Sequence, residues 1–314
     1  MELKQVAELR AQLARNIEEV IVGKDEVVEG CLIGLLSGGH VLLEDVPGVG
    51  KTMMARAMAR TLGVTYKRIQ FTPDLLPADV TGGTVYDPHS GAFSFREGPV
   101  FAHVVLADEI NRASPKTQSA LLECMEERQV TADVETRPLP EPFFVIATQN
   151  PTEYEGVYPL PESQLDRFAL RLSIGYPSPQ AERALMQQQR VQHPIETLPS
   201  ISSADQIRGM QHAVREVAVA DAVYDYILRL ANATRAHRQL MLGLSPRGSL
   251  ALSRACQARA AGQGRDFVTP DDVKAVAVPV MAHRLIPLPE ARLGGFSSER
   301  LVEELLRSVP VEGK

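Results

Sequence analysis

Tryptophan is absent from this chain, and aromatic side chains make up only 5% of its 314 residues. Surfaces that stack single-stranded nucleic acid interleave aromatics with Lys and Arg, and no such interleaving occurs. Nor is there a basic block of roughly five to eight residues that would mark a phosphate-gripping patch, and the formal net charge is -6. Nucleic acid is therefore not the expected partner. Cysteine is equally scarce. Cys31, Cys124 and Cys256 stand far apart, odd in number and without CxxC spacing, which argues for reduced core thiols over redox or metal roles. Long apolar runs are missing too. Stretches such as Phe143 to Ala147 fall far short of the roughly 18 residues of a membrane span. The start, MELKQVAELRAQ, carries charges at helical spacing in place of an apolar signal core, so a cytoplasmic protein is expected.

What is present is an ordinary globular composition, 44% hydrophobic and 23% charged, in a chain long enough for two domains at roughly 150 residues each. Val6, Leu9, Leu13, Ile17 and Val20 recur at steps of three and four, which predicts an amphipathic helix over the first 22 residues. A second helix is expected from Asp25 to Leu36, stopped by Ser37-Gly38-Gly39. Short apolar runs then alternate with helical patterns: strands at 40–44, 66–71, 102–107, 142–148 and 170–174, helices at 51–62 and 115–128. That alternation predicts an α/β fold with a mainly parallel sheet covered on both faces. Two interruptions read as hairpin inserts, one near 82–97 around Asp87-Pro88-His89-Ser90-Gly91 and a second near 128–141. After Pro177-Ser178-Pro179 strand signals stop, so residues 1–178 are expected to form the αβα domain and 179–314 a small all-helical one. Thr269-Pro270-Asp271-Asp272 marks one of its helix starts.

Chemistry concentrates at strand ends. In HVLLEDVPGVGKTMMARAM, His40 to Met58, Gly48 and Gly50 let the backbone turn and present N–H groups, and the helix from Lys51 aims its positive end at the loop. Phosphate is the natural occupant, with Lys51 on the β and γ phosphates and the Thr52 hydroxyl on Mg²⁺, as in GxxxxGK[ST]. Asp45 replaces the first glycine, and an acid there weakens phosphate binding unless its side chain turns away. Val104 to Glu109 is an apolar strand ending in two acids. Asp108 suits Mg²⁺ and Glu109 suits orienting and deprotonating an attacking water. Asn150 ends another apolar strand, where it would hold that water or sense the γ phosphate; an Asn-Pro turn is the plain alternative. Arg167, in Leu165-Asp166-Arg167-Phe168, is suited either to a neighbouring subunit's phosphate or to a surface salt bridge. Arg247, in Leu244-Ser245-Pro246-Arg247-Gly248, sits at a helix start, where a cation opposes the dipole and suggests an anionic partner; solvent exposure is the plain alternative.

Together these residues resemble the AAA+ ATPases, and Asp108-Glu109-Ile110-Asn111-Arg112-Ala113-Ser114-Pro115-Lys116-Thr117-Gln118 looks like the MoxR family. The likeness runs from Val22-Gly23-Lys24-Asp25 through the Ser-Pro-Arg motif of Arg247. It implies an AAA+ core followed by a helical lid, with ATP and Mg²⁺ as ligands. Nucleotide contacts fall on Val22, Gly23, Pro47, Gly48, Val49, Gly50, Lys51, Thr52 and Met53, and metal contacts on Thr52 and Asp108. By the same likeness Glu109 is catalytic, Asn150 is sensor 1, Arg247 is sensor 2, and Arg167 is the arginine finger ahead of Arg171. The hairpins resemble the helix-2 and pre-sensor-1 insertions of the clade. A ring, a homo-hexamer, with chaperone-like action is implied, working with a partner that carries a von Willebrand A domain in complex maturation or metal-cofactor insertion. Three classes stand to be told apart: an ATP-driven remodeller, including a magnesium-chelatase-like motor subunit; a nucleic-acid motor; and a nucleotide-gated scaffold.

Overall fold

The computed structural model describes residues 1–45, 48–89, 91–132, 135–150, 157–188 and 193–311. The chain opens with α1 (Leu3–Glu18) and α2 (Asp25–Leu36). The first is shorter than its apolar spacing predicts: Val20 stays buried, but in the turn beyond the helix. Then come β1 (Val41–Glu44), α3 (Lys51–Leu62), β2 (Tyr66–Gln70) and α4 (Pro77–Thr81), followed by the hairpin of β3 (Gly82–Asp87) and β4 (Ala92–Glu97). The strand β5 (Val104–Asp108) leads through a 3₁₀ turn at Ile110–Arg112 into α5 (Pro115–Glu127). A second hairpin, β6 (Gln129–Ala132) and β7 (Glu135–Pro138), precedes β8 (Phe144–Gln149), α6 (Glu162–Leu165) and β9 (Leu170–Leu172).

Five strands form one parallel sheet in the order β2-β5-β8-β1-β9. Both faces are buried, so the strands read as continuous apolar runs, and their twofold alternation sorts side chains between two cores. Val41, Leu43, Val104, Leu106, Phe144 and Ile146 point to one core, and Leu42, Val105, Ala107, Val145 and Ala147 to the other. The second core is closed by α4, α5 and the base of the second hairpin through Val80, Leu121, Met125 and Val130. The first is closed by α1, α2 and α3 and runs on without a break into the lid.

The lid follows α7 (Pro179–Gln188) and comprises α8 (Ala204–Arg215), α9 (Asp221–Arg235), β10 (Leu240–Leu242), α10 (Pro246–Gly262), α11 (Pro270–Met281), β11 (Ile286–Pro287), α12 (Pro289–Leu293) and α13 (Ser298–Ser308). It is helical, as the sequence predicts, except for one short ribbon. β10 and β11 pair antiparallel in a small ribbon. Three residues and two, one of them proline, are too few to show a period of two; the helices around them bring the pair together.

The aromatics of the first hairpin divide between solvent and body. Phe93 is 73% exposed and leans on its cross-strand partner Tyr86 at 5.1 Å between centroids. Phe95, two residues on, packs against Phe101 and lies under the guanidinium of Arg137 at 4.0 Å, so the two hairpins touch.

At the opposite end of the sheet from the phosphate loop, buried His40 leads into β1. Its Nδ1 accepts the Val145 N–H at 3.0 Å, so the proton sits on Nε2, which donates to the Met125 carbonyl at 3.0 Å. Burial holds the imidazole neutral and lowers its pKa to about 4. Cys31, Cys124 and Cys256 are all buried, and burial raises the first two to about 12, which suits inert core thiols.

Candidate functional site

The loop between β1 and α3 is shaped by glycine. Gly48 and Gly50 adopt φ of 84° and 99°, a region other residues enter only at a cost. A Cβ at either would meet nothing within 4 Å, so the demand is conformational and the space above the loop stays open. No side chain caps the start of α3, which leaves first-turn N–H groups directed at that space. The Lys51 ammonium, 9% exposed, donates to the Asp45 carbonyl at 2.6 Å. Val49 and Met53 pack on the core below, while Pro47 lies outside the described residues.

The acid at the first position of the loop turns away from it. The Asp45 carboxylate accepts from the Ser173 hydroxyl at 3.0 Å and from the Gly175 N–H. Its charge is thus spent on the segment that leaves β9 for the lid. Lys24 donates to the neighbouring Tyr176 carbonyl at 2.8 Å, and Gly23 lies against Ala181 of α7. Val22 and Gly23 therefore sit by the core–lid junction, linked to the loop through this segment and not lining the phosphate space itself.

Two carboxylates face the loop from the end of β5. Asp108, 7% exposed, accepts from Thr148 Oγ1 at 2.6 Å through one oxygen and from Arg68 at 2.7 Å through the other. Glu109 takes the left-handed conformation, φ 56°, and its N–H donates to the same Thr148 hydroxyl at 2.8 Å. This backbone, costing about 1–3 kcal/mol, swings the Glu109 side chain off the strand line. Its carboxylate accepts from Gln70 at 2.7 Å and from Arg112 at 3.1 Å. Arg68 and Gln70, both on the edge strand β2, thus hold one acid each.

Gly48, Gly50, Lys51, Thr52, Met53, Asp108, Glu109 and Asn150 line one cavity of about 310 Å³. Asn150 is buried at 4% exposure and the described chain breaks after it. Among the described residues no three His, Cys, Asp or Glu side chains gather as a metal cage. That composition fits Mg²⁺, which keeps several waters and takes one or two protein oxygens beside substrate phosphates. Thr52 and Asp108 of the lining carry a hydroxyl and a carboxylate that such an ion could use.

The arginines lie elsewhere. Arg167 and Arg247 share a cavity of about 340 Å³ with Gly38, Gly39, His40 and Ala169, at the N-terminal ends of β1 and β9, across the sheet from the phosphate loop. The anionic partner of Arg247 is Glu126 on α5, and Arg167 pairs with the other oxygen of the same carboxylate. Arg171 is engaged within its own chain, with Glu44 at 3.0 Å and with Glu299 of the lid.

Residues 40–170 match the model of the ATPase family associated with various cellular activities (AAA), and residues 232–305 match the AAA lid domain. The chain is 45% identical to the chaperone MoxR1 of Mycobacterium tuberculosis over 94% of its own length and 80% of that protein. It belongs to the MoxR family of AAA+ ATPases. It is also 50% identical to the uncharacterized protein YeaC of Bacillus subtilis, over 96% of this chain and 95% of that one. A solved structure of a candidate ATPase from Cytophaga hutchinsonii superposes with a TM-score of 0.92 at 37% identity, covering 99% of this chain and 97% of the other. Of this MoxR-family site, sequence reading missed Arg68, Gln70, Thr148 and Glu126. Thr148 alone carried a visible signal, a hydroxyl inside an otherwise apolar strand beside the one that bears Asp108. No helix among the described residues is long and apolar enough to cross a membrane.

Proposed function

We propose that this MoxR-family chain hydrolyses ATP with Mg²⁺ in a homo-hexameric ring whose active sites are completed between neighbours. The observation that carries this reading is the division of the candidate residues between opposite ends of one parallel sheet. Lys51, Thr52, Asp108, Glu109 and Asn150 gather at the C-terminal ends of the strands, and Arg167 and Arg247 at the N-terminal ends. One chain cannot fold its own arginines onto its own phosphate loop, but a copy beside it presents them.

In this mechanism the glycine turn and Lys51 bind the β and γ phosphates, and Thr52 and Asp108 would hold the metal. Bound Mg²⁺ neutralises charge on the phosphate oxygens. Glu109, released from Gln70, takes the proton of the attacking water, which Asn150 helps to orient. Arg167 and Arg247 of the adjacent subunit stabilise charge on the transferred group. We further propose a break between an αβα domain, 1–178, and a lid domain, 179–314, a cytoplasmic setting, and remodelling of a protein complex with a von Willebrand A domain partner, including metal-cofactor insertion. The exposed Tyr86–Phe93 pair is the surface offered for docking.

Phosphate release with Mg²⁺ tests the core of this reading. Glu109→Gln should bind nucleotide and assemble, yet turn over roughly 10² to 10⁴ times more slowly; turnover at the wild-type rate would remove Glu109 from its role. Arg167→Ala should be slow alone and recover when mixed with Glu109→Gln, because the mixed interface joins an intact Glu109 to an intact Arg167. The same Glu109→Gln ring, used as bait, should retain the partner.

A further inference from the structure

Two guanidinium groups from distant parts of the chain meet on one exposed carboxylate. Arg167 comes from the loop after α6 and Arg247 from the first turn of α10, and Glu126 gives one oxygen to each. Their backbones are already fixed side by side: the Ser245 hydroxyl donates to Asp166 at 3.1 Å, and the buried Arg284 grips the other oxygen of Asp166 at 2.7 Å. Arg167 also donates to the Leu122 carbonyl at 3.1 Å, one turn before Glu126 on the same helix. The side-chain ends, however, carry like charge and would part without an acid between them.

We infer that Glu126 is a positioning residue that holds Arg167 and Arg247 together so that both meet one anion, the terminal phosphate of a nucleotide bound to a second copy of this chain. The inference rests on the composite-site reading above and adds the group that sets the arginine pair. The surrounding charge supports it. Among the described residues the cavity that the two arginines share is lined by Arg128, Arg167, Arg247, Arg254 and Arg284 against Glu126 and Asp166, while Glu123 and Glu127 line the adjoining cavity beside Arg167, so positive charge is in excess on the Arg247 side, where a phosphate would enter. Fold stability does not explain Glu126: its side chain is 34% exposed, and pairs at such exposure contribute little to folding. A single carboxylate between two guanidinium groups leaves each with further N–H donors for an incoming oxygen.

The test is Glu126→Gln, with Glu126→Asp as the charge-conserving control. Nucleotide affinity of the subunit's own pocket, read with a fluorescent ATP analogue, and ring mass should match wild type. The kcat should fall about tenfold or more, a modest share of what such arginines contribute in trans, with KM nearly unchanged, and Glu126→Asp should recover part of it. Mixing then separates positioning from a structural role. Glu126→Gln mixed with Glu109→Gln should regain activity, because the second partner brings intact arginines to the intact Glu109 of the first; mixed with Arg167→Ala it should not. If Arg167→Ala fails to recover with Glu109→Gln, the composite site is wrong and this inference falls with it. If that pair recovers while Glu126→Gln turns over at or above the wild-type rate, or fails to recover with Glu109→Gln, the composite site stands and the role of Glu126 is overturned.

Discussion

Acidification should weaken this fold through His40. The imidazole is buried, its Nδ1 already accepts from Val145, and its pKa falls from the ordinary 6.5 to about 4. Between those values the unfolded chain binds a proton that the native chain refuses. Stability therefore rises with pH across this window and is lost as pH falls through it, and the full contribution is present only above the unfolded value. At about 1.4 kcal/mol for each tenfold change in proton affinity, the loss approaches ~3 kcal/mol by pH 4. For a chain of 314 residues that corresponds to a thermal midpoint lower by roughly 4–5 °C. His40→Gln is the proper comparison, since an amide can accept from Val145 and donate to Met125 but does not titrate. Thermal melts of both proteins from pH 7.5 down to 4.5 should show the wild type losing ground to the variant throughout. Parallel curves, or a His40 resonance titrating near 6.5 by NMR, would refute the reasoning.

Three further outcomes follow from single contacts. Asp45→Gly restores the usual glycine of the loop but removes the acceptor for Ser173 and Gly175; with charged hydrogen bonds worth about 1.5–3 kcal/mol each, the thermal midpoint should drop while nucleotide affinity stays within about twofold, and a large gain in affinity would mean the acid does face the phosphates. Gln70→Ala frees Glu109 from its amide donor and should raise basal ATP turnover, up to roughly tenfold for about 1.4 kcal/mol of barrier; an unchanged rate in a steady-state assay would show that Arg112 alone holds the acid. Phe93→Ser should leave stability within about 0.5 kcal/mol and impair capture of partner by a Glu109→Gln ring, whereas Phe95→Ser should destabilise by about 1–2 kcal/mol through loss of its Phe101 and Arg137 contacts; equal melts would erase the distinction between the exposed tip and the packed middle of the hairpin.

How far the sequence could be read depended on how local each signal was. β1, β5 and β8 are buried on both faces, so their apolar runs announced them and their ends carried Asp108, Glu109 and Asn150 at recognisable places. The glycine turn was legible for the same reason, since φ and charge direction are properties of a few adjacent residues. Nothing local told where the Asp45 side chain points, because its partners Ser173 and Gly175 stand some 130 positions later. Glu126 looked like any helix acid until folding brought residues 167 and 247 to it. The lid ribbon escaped for want of length, and Phe93 and Phe95 could not be divided until Arg137 of the other hairpin was in place.

In the ring proposed above, helix α5 would carry a sense of direction. Its 13 residues make a rod of about 20 Å, entered from the turn that follows Glu109 and ending on Glu126. One end follows the turn after Glu109, the acid proposed to activate water, and the other bears the carboxylate on Arg167 and Arg247, the cations proposed to serve the next subunit. A subunit whose Glu109 shifts when phosphate leaves would carry that shift along the rod to one neighbour and not to the other.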